Sequence, residues 1–150
     1  MAKHRIVWDE AGTAGQNARA QLPAVVGRYF RSGRKLLRAH ASPQELHAFR
    51  LKTKRLRYTL ELFRTCYGSA LEQRLEELRT LQTILGDVND CAAALKVAGK
   101  ALSARSVESQ KLTRYLNARS ARLATTFRKH WREEFDAPGK EEWWTGGLAR

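Results

Sequence analysis

Apolar residues recur along this chain every three or four positions and almost nowhere alternate with polar ones. That period belongs to helices with one buried stripe. Leu22, Val25, Val26, Tyr29, Phe30, Leu36 and Leu37 predict a first helix over about Gln16 to His40. Pro23 falls inside it and removes one backbone donor, so it either kinks the helix or marks a later start. A second helix is predicted from Pro43 to Thr65, with Leu46, Phe49, Leu56, Leu60 and Phe63 inward. Its start is written in Ser42-Pro43-Gln44-Glu45: a capping hydroxyl, a proline in the first turn and a glutamate able to reach back. It ends before Gly68.

A third helix begins near Ser69 and carries Leu71, Leu75, Leu78, Leu81 and Leu85. Gly86-Asp87 is expected to interrupt or bend it before the pattern resumes through Ala92, Leu95 and Val97. A fourth runs from about Ser106 to Phe135, with Leu112, Leu116, Leu123, Phe127 and Trp131 inward. Strand and hairpin-turn signals are absent. The expected fold is therefore all-α: an antiparallel bundle of about four long amphipathic helices over residues 16–137. An N-terminal extension (1–15) precedes it. A loosely ordered tail (138–150) follows, in which Trp143 and Trp144 can still dock.

At 150 residues and 43% hydrophobic composition, the chain has material for one real core. No apolar run has the length of a membrane span, and the first residues lack the apolar centre of a secretory signal, so a cytoplasmic address is expected. Cys66 and Cys91 form no pair of recognisable spacing and are read as small buried hydrophobes.

Charge changes the picture more than any of this. Lys and Arg number 28 against 15 Asp and Glu, a net of +13. Such an excess favours polyanionic partners. It is also unevenly placed. Arg28, Arg31, Arg34, Lys35 and Arg38 lie opposite the apolar stripe of the first helix, and no acidic residue falls between Gln16 and His40. In the second, His47, Arg50, Lys54, Arg57 and Tyr58 run along one side of the core stripe. From Glu45 to Arg64 there are six basic residues and two acidic ones. A row of cations held along a helix suits a ligand with repeated negative groups, and arginine's forked donors grip two phosphate oxygens at once.

The four histidines show no metal-binding spacing, and no metal site or cofactor is expected. His47 reads instead as a hydrogen-bond donor to a phosphate. Asp87, Asn89 and Asp90 are too few for a cation loop. Capping of a restarted helix is the simple reading for Asp87 or Asn89, while Asp90 or Asp87 can alternatively orient an arginine of the basic helix.

The stretch His47-Ala-Phe-Arg50-Leu-Lys-Thr-Lys54-Arg55-Leu-Arg57-Tyr58-Thr-Leu-Glu61-Leu-Phe63 resembles the signature helix of CHAD domains, the conserved-histidine α-helical domains. The later Leu81-Gln82-Thr-Ile-Leu85-Gly86-Asp87-Val-Asn89-Asp90 is similar to their second hallmark. The resemblance implies binding of inorganic polyphosphate on a basic helical surface, often with association to polyphosphate granules. By motif position the implied contacts are His47, Arg50, Lys54, Arg55 and Arg57, with Lys52 beside them. Arg31, Lys35 and Arg38 join them from the charge pattern alone. Typical members have two related helical halves; this chain is about half as long, so two copies are expected to pair as a homodimer.

The leading expectation is thus polyphosphate binding without catalysis. The alternative is sequence-blind nucleic-acid binding, which phosphate contacts alone support. Against it, the second helix lacks a polar set for reading base edges, and Phe49 and Phe63 belong to the core stripe. An enzyme acting on phosphate anhydrides needs clustered carboxylates to hold metal, and only the Asp87–Asp90 pair is at hand.

Overall fold

Two capping boxes open the structure. Thr13 accepts from the backbone N–H of Gln16, whose side chain returns to Thr13 N, and helix α1 runs from there over Ala14–Leu37. Ser42 and Glu45 do the same for α2, Pro43–Leu62. Each box satisfies backbone donors that a helix start otherwise leaves free, worth about 1 kcal/mol. The structure, a computed structural model, describes residues 6–38 and 40–150. Residues 1–5 of the proposed extension, with His4, lie outside it, as does Ala39.

After α2 come one helical turn, α3 (Arg64–Tyr67), and a 3-10 turn over Gly68–Leu71. Gly68 takes φ +59, a left-handed conformation that other residues adopt at a cost. Helix α4 spans Glu72–Ala101, and α5 covers Val107–His130. The last turn of α5 widens into a π-helical stretch, Trp131–Phe135, closed by Asp136 N–H on the Trp131 carbonyl at 2.7 Å. A final helix, α6, occupies Lys140–Ala149. Among the described residues there is no strand, and the all-α expectation holds.

The helices lie side by side in the order α6, α1, α2, α4, α5. From α6 to α4 neighbours run antiparallel, as the contacts Arg34–Glu141 with Arg19–Arg150, Tyr29–Thr53 with Ser32–Lys52, and His47–Asn89 with Arg57–Gln82 require. The layer curls shut over an aromatic core in which Trp131 and Phe135 meet Tyr29, Phe30 and Phe49, and Trp144 of α6 closes the far side. Gly33 is required there: a Cβ on it would overlap the Trp131 ring. Tyr29 is fully buried, its hydroxyl shared with Thr53 at 2.8 Å, and burial pushes its ionisation up.

Four expectations need correction. Helix α1 starts at Ala14 and continues past Pro23, so the late start is wrong. Helix α4 is not interrupted at Gly86-Asp87, because a glycine costs only about 1 kcal/mol inside a helix that packs on both flanks. With no restart there, Asp87 and Asn89 cap nothing. Leu112 is exposed, because the far end of the α4–α5 hairpin projects beyond the core. The tail is not loose: Glu141 and Glu142 sit in the first turn of α6, where they suit the helix dipole, and Trp144 and Leu148 are buried. No helix among the described residues is long and apolar enough to cross a membrane.

Candidate functional site

The apolar stripe of α2 (Leu46, Phe49, Thr53, Leu56, Leu60) is buried beneath it, which leaves two flanks and an outer crest. At 100° per residue, His47, Arg50, Lys54, Arg57 and Glu61 share the flank toward α4, while Lys52 and Arg55 turn the other way, toward α1. Side-chain contacts agree. His47 Nδ1–H donates to Asn89 Oδ1 at 2.7 Å, and Arg57 Nε–H donates to Gln82 Oε1 at 2.9 Å. Lys52 Nζ instead reaches Ser32 Oγ of α1 at 3.4 Å.

The α2–α4 flank therefore brings together the two sequence hallmarks. Between the anchored ends lies Arg50, over Gly86: a Cβ there would stand 3.6 Å from its Nε. Arg50 Nε is buried and has no hydrogen-bond partner among the described residues. A buried guanidinium N–H without an acceptor is unusual enough to need a reason. Lys54 lies 5.7 Å from the centre of the Tyr58 ring and makes no ion pair with any described residue; Arg57 stacks closer, at 4.5 Å. By the rise of an α-helix, His47 to Arg57 extends about 15 Å.

Not every cation is available. Arg57 is paired with Glu61 at 2.8 Å, and Glu61 also meets Arg79 at 3.6 Å. That end of the row is partly neutralised. On α1, Arg34 forks onto Asp136 (2.8 and 2.7 Å) and reaches Glu141 at 2.6 Å; these bonds hold its pKa above the ordinary arginine value. The expected α1 row is thus broken at Arg34. Arg31 approaches the same edge, since a Cβ on Gly27 would sit 3.6 Å from its Nη1 and 3.8 Å from Glu141 Oε1. Lys35 and Arg38 are exposed, as are Lys52 and Arg55. None of these four makes an ion pair among the described residues, and neither Asp87 nor Asp90 holds an arginine there.

Sequence reasoning missed Asn89 and Gln82 as partners of His47 and Arg57. Their signal was in the second hallmark, whose polar positions Gln82, Gly86 and Asn89 recur at helical spacing and so share one face.

Comparison with curated proteins gives no match, and neither does comparison with solved structures. A family model described as the CHAD domain matches residues 3–99, an interval that holds α1, α2 and almost all of α4, the three helices that build this face. The chain belongs to the CHAD domain family.

Proposed function

We propose that this protein binds inorganic polyphosphate, without turning it over, along the outer face of α2. The observation that carries the reading is Arg50. Its Nε is buried without an acceptor among the described residues, as Arg74 Nε is, but unlike Arg74 it has no carbonyl on its other nitrogens. Its neighbours His47 and Lys54 face the same side without a carboxylate between them. Asn89 Oδ1 occupies Nδ1 of His47 and so turns Nε2 away from α4; in the protonated ring that nitrogen donates to an anion. Lys52, Arg55, Lys35 and Arg38 extend the positive field. A flexible chain of phosphates can satisfy such side chains in sequence, whereas a single small anion reaches only a few. Membership of the CHAD family supports the same ligand. Association with polyphosphate granules follows from it as part of the proposal.

Competition decides between this and nucleic acid. A labelled long-chain polyphosphate should be displaced by unlabelled polyphosphate at least tenfold more readily than by duplex DNA of equal phosphate concentration, at one fixed salt. Equal displacement would make the protein a general phosphate-backbone binder.

Pairing of two copies belongs to the same proposal. Leu51, Tyr58 and Leu62 form an exposed apolar line on the crest of α2, and Leu62 is 81% exposed. Two copies of charge +13 repel one another, so the pair should form only once the anion is bound. Light scattering after gel filtration should give a monomer alone and a dimer with polyphosphate, the latter lost in Leu62→Lys. A monomer under both conditions removes the pairing.

A further inference from the structure

We infer that α2 is flanked by two separate polyphosphate seats, the second lying in the seam between α1 and α2 around Arg28, Ser32, Lys52 and Arg55, so that one chain can hold two segments of polyanion at once. This rests on the polyphosphate reading above, but it makes a claim about number that the reading does not contain.

The first seat faces α4 and is built from His47, Arg50 and Lys54. The second begins on the opposite flank, where Lys52 Nζ meets Ser32 Oγ at 3.4 Å and ties the two helices together at that level. Tyr29 packs on Thr53 and Phe49 just beneath, which fixes the antiparallel register. One turn earlier on α1, at four-residue spacing from Ser32, stands Arg28. In that register it comes level with Arg55, one turn after Lys52 on α2. Three cations from two helices thus converge on one seam.

Arg28 is in the less comfortable state. Burial lowers its pKa first, and the charge of Arg31 lowers it further. Its Nη2 is buried with no hydrogen-bond partner among the described residues, as Arg50 Nε is on the other side of α2. Each flank of α2 therefore has its own orphaned guanidinium nitrogen. Carboxylates do not relieve this one: α1 has none, and Asp136 and Glu141, which do meet α1, are engaged by Arg34 on its far flank. Glu45, the one acid on the α1 side of α2, is used in capping Ser42. An anion in the seam would supply the missing acceptor and cancel the Arg28–Arg31 repulsion together. Two charge-assisted hydrogen bonds to one phosphate is the geometry arginine favours.

The seats are distinct because the crest between them is largely apolar. Leu51 and Tyr58 stand exposed along the outer line of α2, and phosphate oxygens gain nothing by lying on them.

The test is a stoichiometry. Calorimetric titration of the full chain with sodium tripolyphosphate at low ionic strength should give two ions per chain. Arg28→Gln with Lys52→Gln should leave one, and His47→Gln with Lys54→Gln should leave the other, each remaining site within about twofold of its original affinity. Lys111→Gln with Arg114→Gln on α5 removes the same charge elsewhere and should leave both. Circular dichroism confirms that each variant is folded. One ion per chain in the parent, or loss of both sites on neutralising either flank, overturns the second seat while sparing the proposed function. No binding of tripolyphosphate or of long-chain polyphosphate by the folded parent overturns both.

Discussion

Arg74 and Arg50 are both arginines inside helices, each with a buried Nε that has no hydrogen-bond partner among the described residues, and they differ in what holds the rest of the guanidinium. Arg74, near the start of α4, is nearly covered, and burial lowers its pKa. Yet it donates to the carbonyls of Ala70 (2.7 Å) and Trp143 (2.6 Å), and it stacks 3.8 Å from the Trp143 ring. Gly147 leaves room for it, since a Cβ there would overlap the guanidinium. Around it, Lys140 pairs with Glu77, Trp144 donates to Glu77, and Arg34 forks onto Asp136. Eight of the fifteen acidic residues fall within 72–77 and 133–142. At this end, the buried and half-buried cations have been given something to hold. Arg74 Nε is itself buried without a hydrogen-bond partner, but its other two nitrogens are held. On the α2 face, Arg50 Nε and Arg28 Nη2 are orphaned alike, and no carbonyl or carboxylate among the described residues holds the rest of either group. A charge count therefore does not single out the proposed site; what sets its cations apart is that the fold supplies them so few partners.

Removing structure from the acidic end should have the largest effect. Trp131→Ala deletes the ring that Tyr29, Phe30, Phe49 and Phe127 all touch and should destabilise the fold by about 3–5 kcal/mol, measured by urea denaturation. Arg74→Ala should follow at about 2–4 kcal/mol, through unpaired carbonyls and a missing stacking partner. The folded fraction of Arg74→Ala should bind polyphosphate within about twofold of the parent. A drop in affinity larger than its drop in stability would place Arg74 in the site and erase the contrast.

The opposite outcome is expected from the basic face. Lys52, Lys54 and Arg55 changed together to Glu should weaken polyphosphate binding about 100-fold or more. The salt dependence should fall by about one unit for each phosphate charge that is no longer neutralised. Stability should stay the same or rise, since like charges are being removed. Arg57→Glu is the wrong probe, because the new carboxylate would face Glu61 and abandon Gln82. Unchanged affinity in the folded triple variant would move the site off α2.

Much of this contrast was legible in the residues. The helical period marks four long elements, and Ser42 to Glu45 announces a helix start that the structure reproduces atom by atom. Thr13 to Gln16 carries the same signal, ten residues ahead of Pro23. The α2 basic row was visible because spacing alone puts His47, Arg50 and Lys54 on one flank. What spacing cannot give is which cations the fold consumes itself. Arg34 and Arg28 sit on one helix without an acid, yet one meets Asp136, over a hundred residues later, and the other keeps an unsatisfied nitrogen. Helix α6 was missed for a related reason: ten residues with two glycines make a weak helix alone, and burial of Trp144 supplies what propensity does not.

The smallest difference between the two ends is at Asn89, where a neutral side chain does for His47 what carboxylates do for Arg34. Its Oδ1 accepts the Nδ1 proton at 2.7 Å, which turns Nε2 away from Asn89 without adding a negative charge to the basic row. Asn89→Leu should therefore cost about 1 kcal/mol of binding, roughly fivefold in Kd, with little change in stability at this half-exposed position. His47→Gln should cost a similar amount. If Asn89 acts by orienting His47, the double variant Asn89→Leu with His47→Gln should be no worse than either alone. A double-mutant cycle in polyphosphate affinity measures that coupling directly. Fully additive losses would mean that Asn89 touches the anion itself, or merely packs, and that His47 needs no partner to face it.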